Sequence, residues 1–429
     1  MDATVAHGDK NAAEAGSIGS AGSLAPVTGD EVHMGQMRLF LEDIFCEATR
    51  FRHIEETGLG AEDIRIYREV SLGAPGCYAD LLVKIPDTRS YYVELKFGYT
   101  EENLLGSLCR KYAGENATLD PDVDTVLLIA RESDYNDWPG LKKQLQDALP
   151  KGLKLEAWTQ AEFYKLFKER FGVEINASDE DSVLDLRVAI DKAKWLFAYG
   201  EEYADNPFGQ ALLWHFSSWY LQRLCRDEHL RPRDVLAPKV YPSVVIIMAD
   251  LYSFSSYVRD SRDDDVARTC LATFYSKARH AIHNAGGMLY QFVGDEVVGL
   301  FGLHDTGDHK ITRALDCANA LRQIGTSVSQ QWQREIDRVQ KSQGVHIGIS
   351  IGDLSLVQFR PFSRTHVGFI GDSLNLSARL MGEAGSNEVV VSNTFYRRLT
   401  SQRAAPFEAM GPVTAKNMGD ISCWRWPSE

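Results

Sequence analysis

The longest apolar run in this 429-residue chain is Val244–Ala249, and it is only strand-sized. A helix that crosses a bilayer needs ~20 apolar residues. The chain is therefore expected to fold in water around short buried strands, with no stable membrane contact. The residues downstream of that run constrain the fold further. VVIIMAD reads as a buried strand, and Asp264–Asn284 as a helix with Val266, Cys270, Phe274, Ala278 and Ile282 on one face, stopped by Gly286–Gly287. GMLYQF and VVGLFG form a hairpin across VGDE. A helix over His309–Ser327 then leads to the strand VHIGISIGD. Strand–helix–strand–strand–helix–strand is the order of a ferredoxin-like sandwich.

The rest of the chain divides around this unit. Residues 1–33 hold Gly, Ala and Ser with almost no large apolar side chain, so a disordered leader is expected. Residues 34–175 begin with a helix-like pattern at Met34. They continue with the strands IRIYREVS, YADLLVKI, SYYVELKF, TVLLIA and LKLEAWT, interleaved with helices over Asn103–Tyr112, Leu141–Leu149 and Glu162–Arg170. This predicts an α/β domain with a mixed sheet. Residues 176–235 read as a packed helical connector carrying Trp195, Trp214 and Trp219, and the prolines of LRPRDVLAP mark the boundary before the last domain, 236–429. The fold class is thus α+β.

Composition removes other classes. A net charge of −14 argues against a protein that coats nucleic acid. Seven scattered cysteines without a CxxC exclude a disulfide framework or zinc ribbon, and favour a reducing, cytoplasmic setting. The N-terminus lacks the basic start and apolar run of a signal peptide.

Three groups of residues in the last domain could carry chemistry. Asp250 ends the first strand and Asp295 lies at the hairpin tip. In a split β-α-β-β arrangement these strands are neighbours, so both carboxylates can face one point, as Mg²⁺ or Mn²⁺ would require. Each could instead cap a turn. Asn375 and Arg379 are four apart in IGDSLNLSARL and share one face of a helix, where they could meet a ribose and a phosphoryl oxygen or simply face solvent. Lys416 sits in the turn VTAKNMGD, a surface position that a phosphate could also use.

Together, ADLYSFS, GGMLYQFVGDEVVGLFG, HIGISIG, FIGDSLNLSARL and the late lysine turn resemble the class III nucleotidyl cyclase domain over about the last 190 residues. The resemblance implies that Asp250 and Asp295, with the Leu251 carbonyl, bind two Mg²⁺ or Mn²⁺ ions per site. It implies that Asn375 and Arg379 support the transition state and that Lys416 binds the triphosphate tail. In this family the aspartates come from one chain and the other three residues from its partner, so a head-to-tail homodimer with two shared sites is implied.

The departures concern the base. Where purine cyclases carry a selective lysine or glutamate, this chain has Gln291, and where they carry Asp, Thr or Cys it has Gly368. Gln can donate and accept at a pyrimidine edge. The aromatic neighbours Tyr252, Tyr290, Phe292 and Phe369 could fill the vacated volume, although strand alternation lets only some of them point inward. The chain so resembles a pyrimidine cyclase of the Pycsar antiphage systems. That resemblance implies that it converts UTP to cyclic UMP, with CTP to cyclic CMP as the alternative and ATP or GTP after that. It also implies a phage-derived trigger and a separate effector protein that reads the product.

In the first domain, Asp80 and the Glu94-Leu95-Lys96 trio sit on consecutive strands, with Glu42 and Glu47 on the helix before them. This is similar to the PD-(D/E)xK nuclease core, whose Asp and Glu bind a metal while the Lys positions water. A plain solvated ion-pair face fits the same spacing. The readings left open are a nuclease with a nucleotide-sensing cyclase-like half, or a restriction-endonuclease-like fold kept as a sensor.

Overall fold

The computed structural model describes residues 29–174, 180–201, 207–261, 264–305, 307–340, 342–358, 367–415 and 419–428. The expected leader lies largely outside these, but residues 29–33 belong to helix α1 (Gly29–Thr57), which begins before Met34.

A five-stranded sheet follows, in the order β1 (Arg65–Ser71), β2 (Tyr78–Ile85), β3 (Arg89–Lys96), β4 (Val123–Ala130) and β5 (Lys154–Thr159). The first three strands are antiparallel neighbours, and β3–β4–β5 are parallel. Helices α2 (Glu101–Tyr112), α3 (Trp138–Ala148) and α4 (Gln160–Phe171) connect them. Residues of α1 and α4 (Ile44, Phe45, Phe163, Phe167) cover one face of the sheet, and residues of α2 and α3 (Leu104, Leu108, Leu141, Leu145) cover the other. Thr159 and Glu162 start α4 with a reciprocal capping box, and Gly172 ends it in the left-handed region at φ 70°.

The connector forms α5 (Glu180–Tyr199), α6 (Pro207–His215), α7 (Ser218–Gln222) and α8 (Pro232–Val235). It is not a separate body. Leu186 and Ile190 complete the first core, while Trp195, Tyr199, Phe216 and Trp219 pack on the second sheet. Trp214, by contrast, is exposed.

The last domain contains β6 (Val240–Leu251), α9 (Phe254–Asp260), α10 (Asp264–Asn284), β7 (Met288–Val293), β8 (Glu296–Phe301), α11 (His309–Glu335) and β9 (Val345–Gln358). It continues through β10 (Val367–Ile370), α12 (Asp372–Glu383), β11 (Val389–Ser392), α13 (Asn393–Tyr396), α14 (Ser401–Ala404), β12 (Glu408–Ala415) and β13 (Gly419–Trp426). Its sheet runs β12-β13-β11-β9-β6-β8-β7, with β10 on β9. The segment β9-β6-β8-β7, antiparallel throughout, is the strand order of the expected ferredoxin-like unit. Alternation along β6 sorts its side chains. Val245, Ile247, Ala249 and Leu251 meet α10 and α11, whereas Val244, Ile246 and Met248 meet the connector. Helix α11 runs eight residues beyond the predicted end, because Val328 and Trp332 extend its buried stripe.

All seven cysteines are free. Among the described residues, no helix is long and apolar enough to cross a membrane.

Candidate functional site

Asp250 follows Met248 on β6 and so shares its face of the sheet. It stands opposite His346 on β9, whose Nε2 lies 3.3 Å from Asp250 Oδ2. Asp295 occupies the β7–β8 turn after Gly294, whose φ of 62° suits glycine, and Tyr275 of α10 donates from its hydroxyl to the Gly294 carbonyl. The two carboxyls lie against each other. Burial and the Asp250 charge push the Asp295 carboxyl up to about 8. Burial works the same way on Asp250, but the His346 ring and the Asp295 carboxyl outweigh it and hold Asp250 below its ordinary value. Asp250 Oδ1 is buried without a hydrogen-bond partner. Glu296 is half-buried beside the pair, and its carboxyl is raised by burial and by Asp250.

Touching carboxylates with an orphaned oxygen suit a hard divalent cation, which would supply the missing positive charge. Among the described residues, no group of three or more His, Cys, Asp or Glu is set to share an ion. A cation at Asp250 and Asp295 would therefore complete its shell from backbone carbonyls such as Leu251, from water or from substrate oxygens. The Leu251 side chain lies in the core on the opposite face.

The base-selecting positions are brought together by an irregularity. The β7–β8 register shifts between Leu289 and Gln291, so Tyr290 is an extra residue in β7. Leu289 and Phe292, three apart, consequently share the face toward α10, where Phe292 packs on Tyr275 with ring centres 4.3 Å apart. Tyr290 and Gln291 both turn to the other face. Gln291 pairs with Val298, which pairs with Met248, and this row lies beside Asp250. Gly368 is buried in β10, and its neighbour Phe369 donates its amide to the Tyr290 hydroxyl at 3.1 Å. The Tyr290 and Phe369 rings meet edge-on at 5.4 Å. Of the four expected aromatic neighbours, Tyr290 and Phe369 line this region, Phe292 does not, and Tyr252 stands edge-on to His346.

Asn375 and Arg379 lie together on the exposed face of α12, while Ser373, Leu376, Ser377, Leu380 and Met381 are buried. Ser350 Oγ donates to the Ser373 carbonyl at 2.7 Å, and Ser377 Oγ donates to Ser350 Oγ at 2.8 Å. Asn375 is thus level with Ser350, four residues along β9 from His346, or roughly 13 Å at the strand rise. Its side chain points away from the sheet. Within one chain the two halves of the set are apart, and no described hydrogen bond or ion pair joins them. Lys416 lies outside the described residues.

Sequence reasoning missed His346 and Glu296. HIGISIG was legible as a strand, but only the β6–β9 register sets its first residue opposite Asp250.

Asp80, Glu94 and Lys96 also converge. Lys96 Nζ is 2.6 Å from Asp80 Oδ2 and 2.7 Å from Glu94 Oε2. Lys111 of α2 binds both Glu94 oxygens at 2.7 and 3.0 Å, the Tyr112 hydroxyl donates to Glu94 at 2.7 Å, and Arg38 of α1 reaches Asp80 at 3.3 Å. Glu94 is fully buried. Burial pushes the Asp80 carboxyl up, but Lys96, Lys111 and Arg38 together hold it well below the usual range. Of the two acids on α1, Glu42 joins this region through Arg68 at 2.5 Å and Arg38 at 3.2 Å, whereas Glu47 pairs with Lys194 of the connector.

Comparison with known proteins finds a similarity confined to the last domain. Residues 236–426 match the family model of the adenylate and guanylate cyclase catalytic domain. This part of the chain is similar to that domain, and the match does not include residues 1–235. Similar solved structures include the adenylyl cyclase CyaB from P. aeruginosa, at 18% identity and TM-score 0.40, covering 45% of this chain and 97% of that one. The adenylate/guanylate cyclase/hydrolase from Silicibacter pomeroyi is 26% identical, with TM-score 0.33, and covers 45% of this chain and 99% of that one. The guanylate cyclase domain of RhGC from Catenaria anguillulae, in complex with GTP, is 16% identical, with TM-score 0.34, covering 44% and 97%. No curated protein matches the chain.

Proposed function

We propose that this protein is a pyrimidine nucleotide cyclase that converts UTP to 3′,5′-cyclic UMP and pyrophosphate, working as a homodimer with two shared sites. The observation that carries the reading is the contact between the Asp250 and Asp295 carboxyls, short of positive charge, inside a cyclase-type domain. Asp250, Asp295 and the Leu251 carbonyl are the groups to hold Mn²⁺ or Mg²⁺. When bound, the metal makes the ribose 3′-hydroxyl more acidic and neutralises the triphosphate. The 3′-oxygen then attacks the α-phosphorus in line, the bond to pyrophosphate breaks, and the hydroxyl proton passes to solvent.

Asn375 and Arg379 enter from the partner. Their exposure and their distance from Asp250 support a site completed by a second copy. Arg379 meets charge developing on the α-phosphoryl oxygens, Asn375 orients the ribose, and Lys416 holds the triphosphate tail. For the base, Gln291 and Tyr290 lie on the Asp250 face, and the edge-on contact of Tyr290 with Phe369 supports a pocket sized for the smaller pyrimidine ring. Gln291 offers both donor and acceptor to a uracil edge, and a flipped amide would serve cytosine.

Products from purified protein given ATP, GTP, CTP, UTP and Mn²⁺ together, read by mass spectrometry, test the reading. Cyclic UMP that vanishes in Asp250→Ala is expected. Cyclic AMP or cyclic GMP alone would refute the pyrimidine assignment.

Asp80, Glu94 and Lys96 gathered on adjacent strands of a mixed sheet support reading the N-terminal domain as restriction-endonuclease-like. We assign it to sensing rather than cleavage, because its acids are already paired with ammonium groups. Its use in antiphage signalling, with a phage-derived trigger and a product-activated effector, rests on the resemblance to Pycsar cyclases. Glu94→Gln should leave a plasmid-nicking assay at background alongside the wild type. A nicking activity in the wild type that this variant loses would favour the nuclease.

A further inference from the structure

Between the two domains lies a cavity of about 330 Å³, within the ~300–1,000 Å³ range of small-molecule pockets. One wall is the Asp80–Lys96 cluster with α2, and the other is the outer side of α10 and α11. Six basic and four acidic side chains line it. The acids are largely spoken for: Asp80 pairs with Lys96, Glu42 with Arg68, and Glu69 with Lys277 of α10 and, at 2.6 Å, with the Ser327 hydroxyl of α11. Arg110 from α2 and Arg334 from α11 are exposed, and neither has a carboxylate partner among the described residues. Against these two guanidinium groups stands one unpaired lining carboxylate, the exposed Glu335 of α11, so the uncompensated charge is net positive, with a cation from each domain.

The backbone marks the same place. Glu69 sits inside β1 at φ 53°, a left-handed conformation that strains a non-glycine residue, and the register places it opposite Asp80. Its neighbour Arg68 ties Asp43 and Glu42 of α1 together and reaches Ser276 of α10. The junction is otherwise firmly bonded. Arg50 and the Ile66 amide both reach Asn284 Oδ1, at 2.9 and 3.1 Å, and His280 meets the Ile66 carbonyl at 2.7 Å.

We propose that this junction binds a small phosphorylated ligand of nucleotide size, gripped by Arg110 from one domain and Arg334 from the other. Hydroxyls of Ser107 and Thr269 are at hand as further donors. A metal is disfavoured because the acids already hold cations. The ligand would also act on catalysis. Lys277 and Tyr275 are two apart on α10, and Tyr275 holds the Gly294 carbonyl beside Asp295, so a ligand that competes for Lys277 pulls on the helix that steadies the metal turn.

The binding claim is independent of the cyclase reading, and only the effect on rate rests on it. The probe is thymidine 3′,5′-bisphosphate, which has neither a triphosphate nor a free 3′-hydroxyl and cannot be cyclised. Calorimetry on the full chain should give one site per chain. Arg110→Glu and Arg334→Glu, both surface changes, should each weaken binding about tenfold or more, and Asp250→Ala should not. Saturating probe should change the cyclase rate of the wild type but not of Arg334→Glu. No binding at millimolar probe, or binding lost in Asp250→Ala and kept in Arg110→Glu, would overturn the site. Binding with an unchanged rate would overturn the coupling.

Discussion

The molecule carries two carboxylate pairs on neighbouring strands, and they are opposites. Asp250 and Asp295 touch with one histidine for company, an oxygen left unbonded and Asp295 pushed up to about 8. Asp80 and Glu94 lie deeper, yet two lysines, an arginine and a tyrosine hydroxyl hold them. In sequence both read as acids that a metal could bridge. The surrounding cations separate the cases: the first pair lacks positive charge, and the second already has it. Two acids close in space do not by themselves make a metal site.

The sharpest way to break this contrast is through activity. Asp250→Ala and Arg379→Ala should each lower the cyclase rate on the order of 10³-fold. An equal mixture of the two inactive proteins, refolded together, should regain about a quarter of wild-type activity, since half the dimers then hold one intact site. No recovery would mean that both halves of the set act within one chain.

Stability should move in opposite directions at the two pairs. Glu94→Gln leaves Lys96 and Lys111 buried with too little negative charge and should cost about 3 kcal/mol or more in denaturant unfolding. Asp295→Asn removes a repulsion and should raise the melting temperature of metal-free protein. The native Asp295 carboxyl holds its proton up to about 8, against an ordinary value of 3.8. From about pH 4 to 8 the native state therefore binds more protons than the unfolded chain, and its stability falls as pH rises. The Asn variant should escape that fall, so its advantage should grow with pH. A lower melting temperature for Asp295→Asn at pH 8 would contradict the account.

Much of this contrast was legible beforehand because it follows from local patterns. The bounds of α10, the β7–β8 hairpin and the five N-terminal strands come from periodicity and turn residues, and so does the convergence of Asp250 with Asp295. The parts that were not legible depend on register and on long-range pairing. The extra residue at Tyr290 turns Phe292 away and puts Gln291 on the Asp250 face of the sheet, yet nothing in GGMLYQFVGD marks a bulge. The lysine that neutralises Glu94 from α2 is seventeen positions away, and Lys277, which holds Glu69, is 208 away. Charge compensation at such separations is a property of the fold, not of the motif.

The smallest expected effect concerns the junction between the domains. Burial, with Arg68 nearby, lowers the His280 ring to about 4, against 6.5 in an unfolded chain, although the Ile66 carbonyl opposes this. Between about pH 6.5 and 4 the unfolded chain takes up this proton and the native state does not, so stability should decline as pH falls. His280→Asn should flatten that decline in a melting series.

Direct Mn²⁺ binding, followed by electron paramagnetic resonance on the wild type, Asp295→Ala and Glu94→Gln, tests the central claim. The account predicts that Asp295→Ala loses the bound signal and that Glu94→Gln keeps it. Mn²⁺ retained by Asp295→Ala and lost from Glu94→Gln would contradict it, and would place the metal in the N-terminal domain.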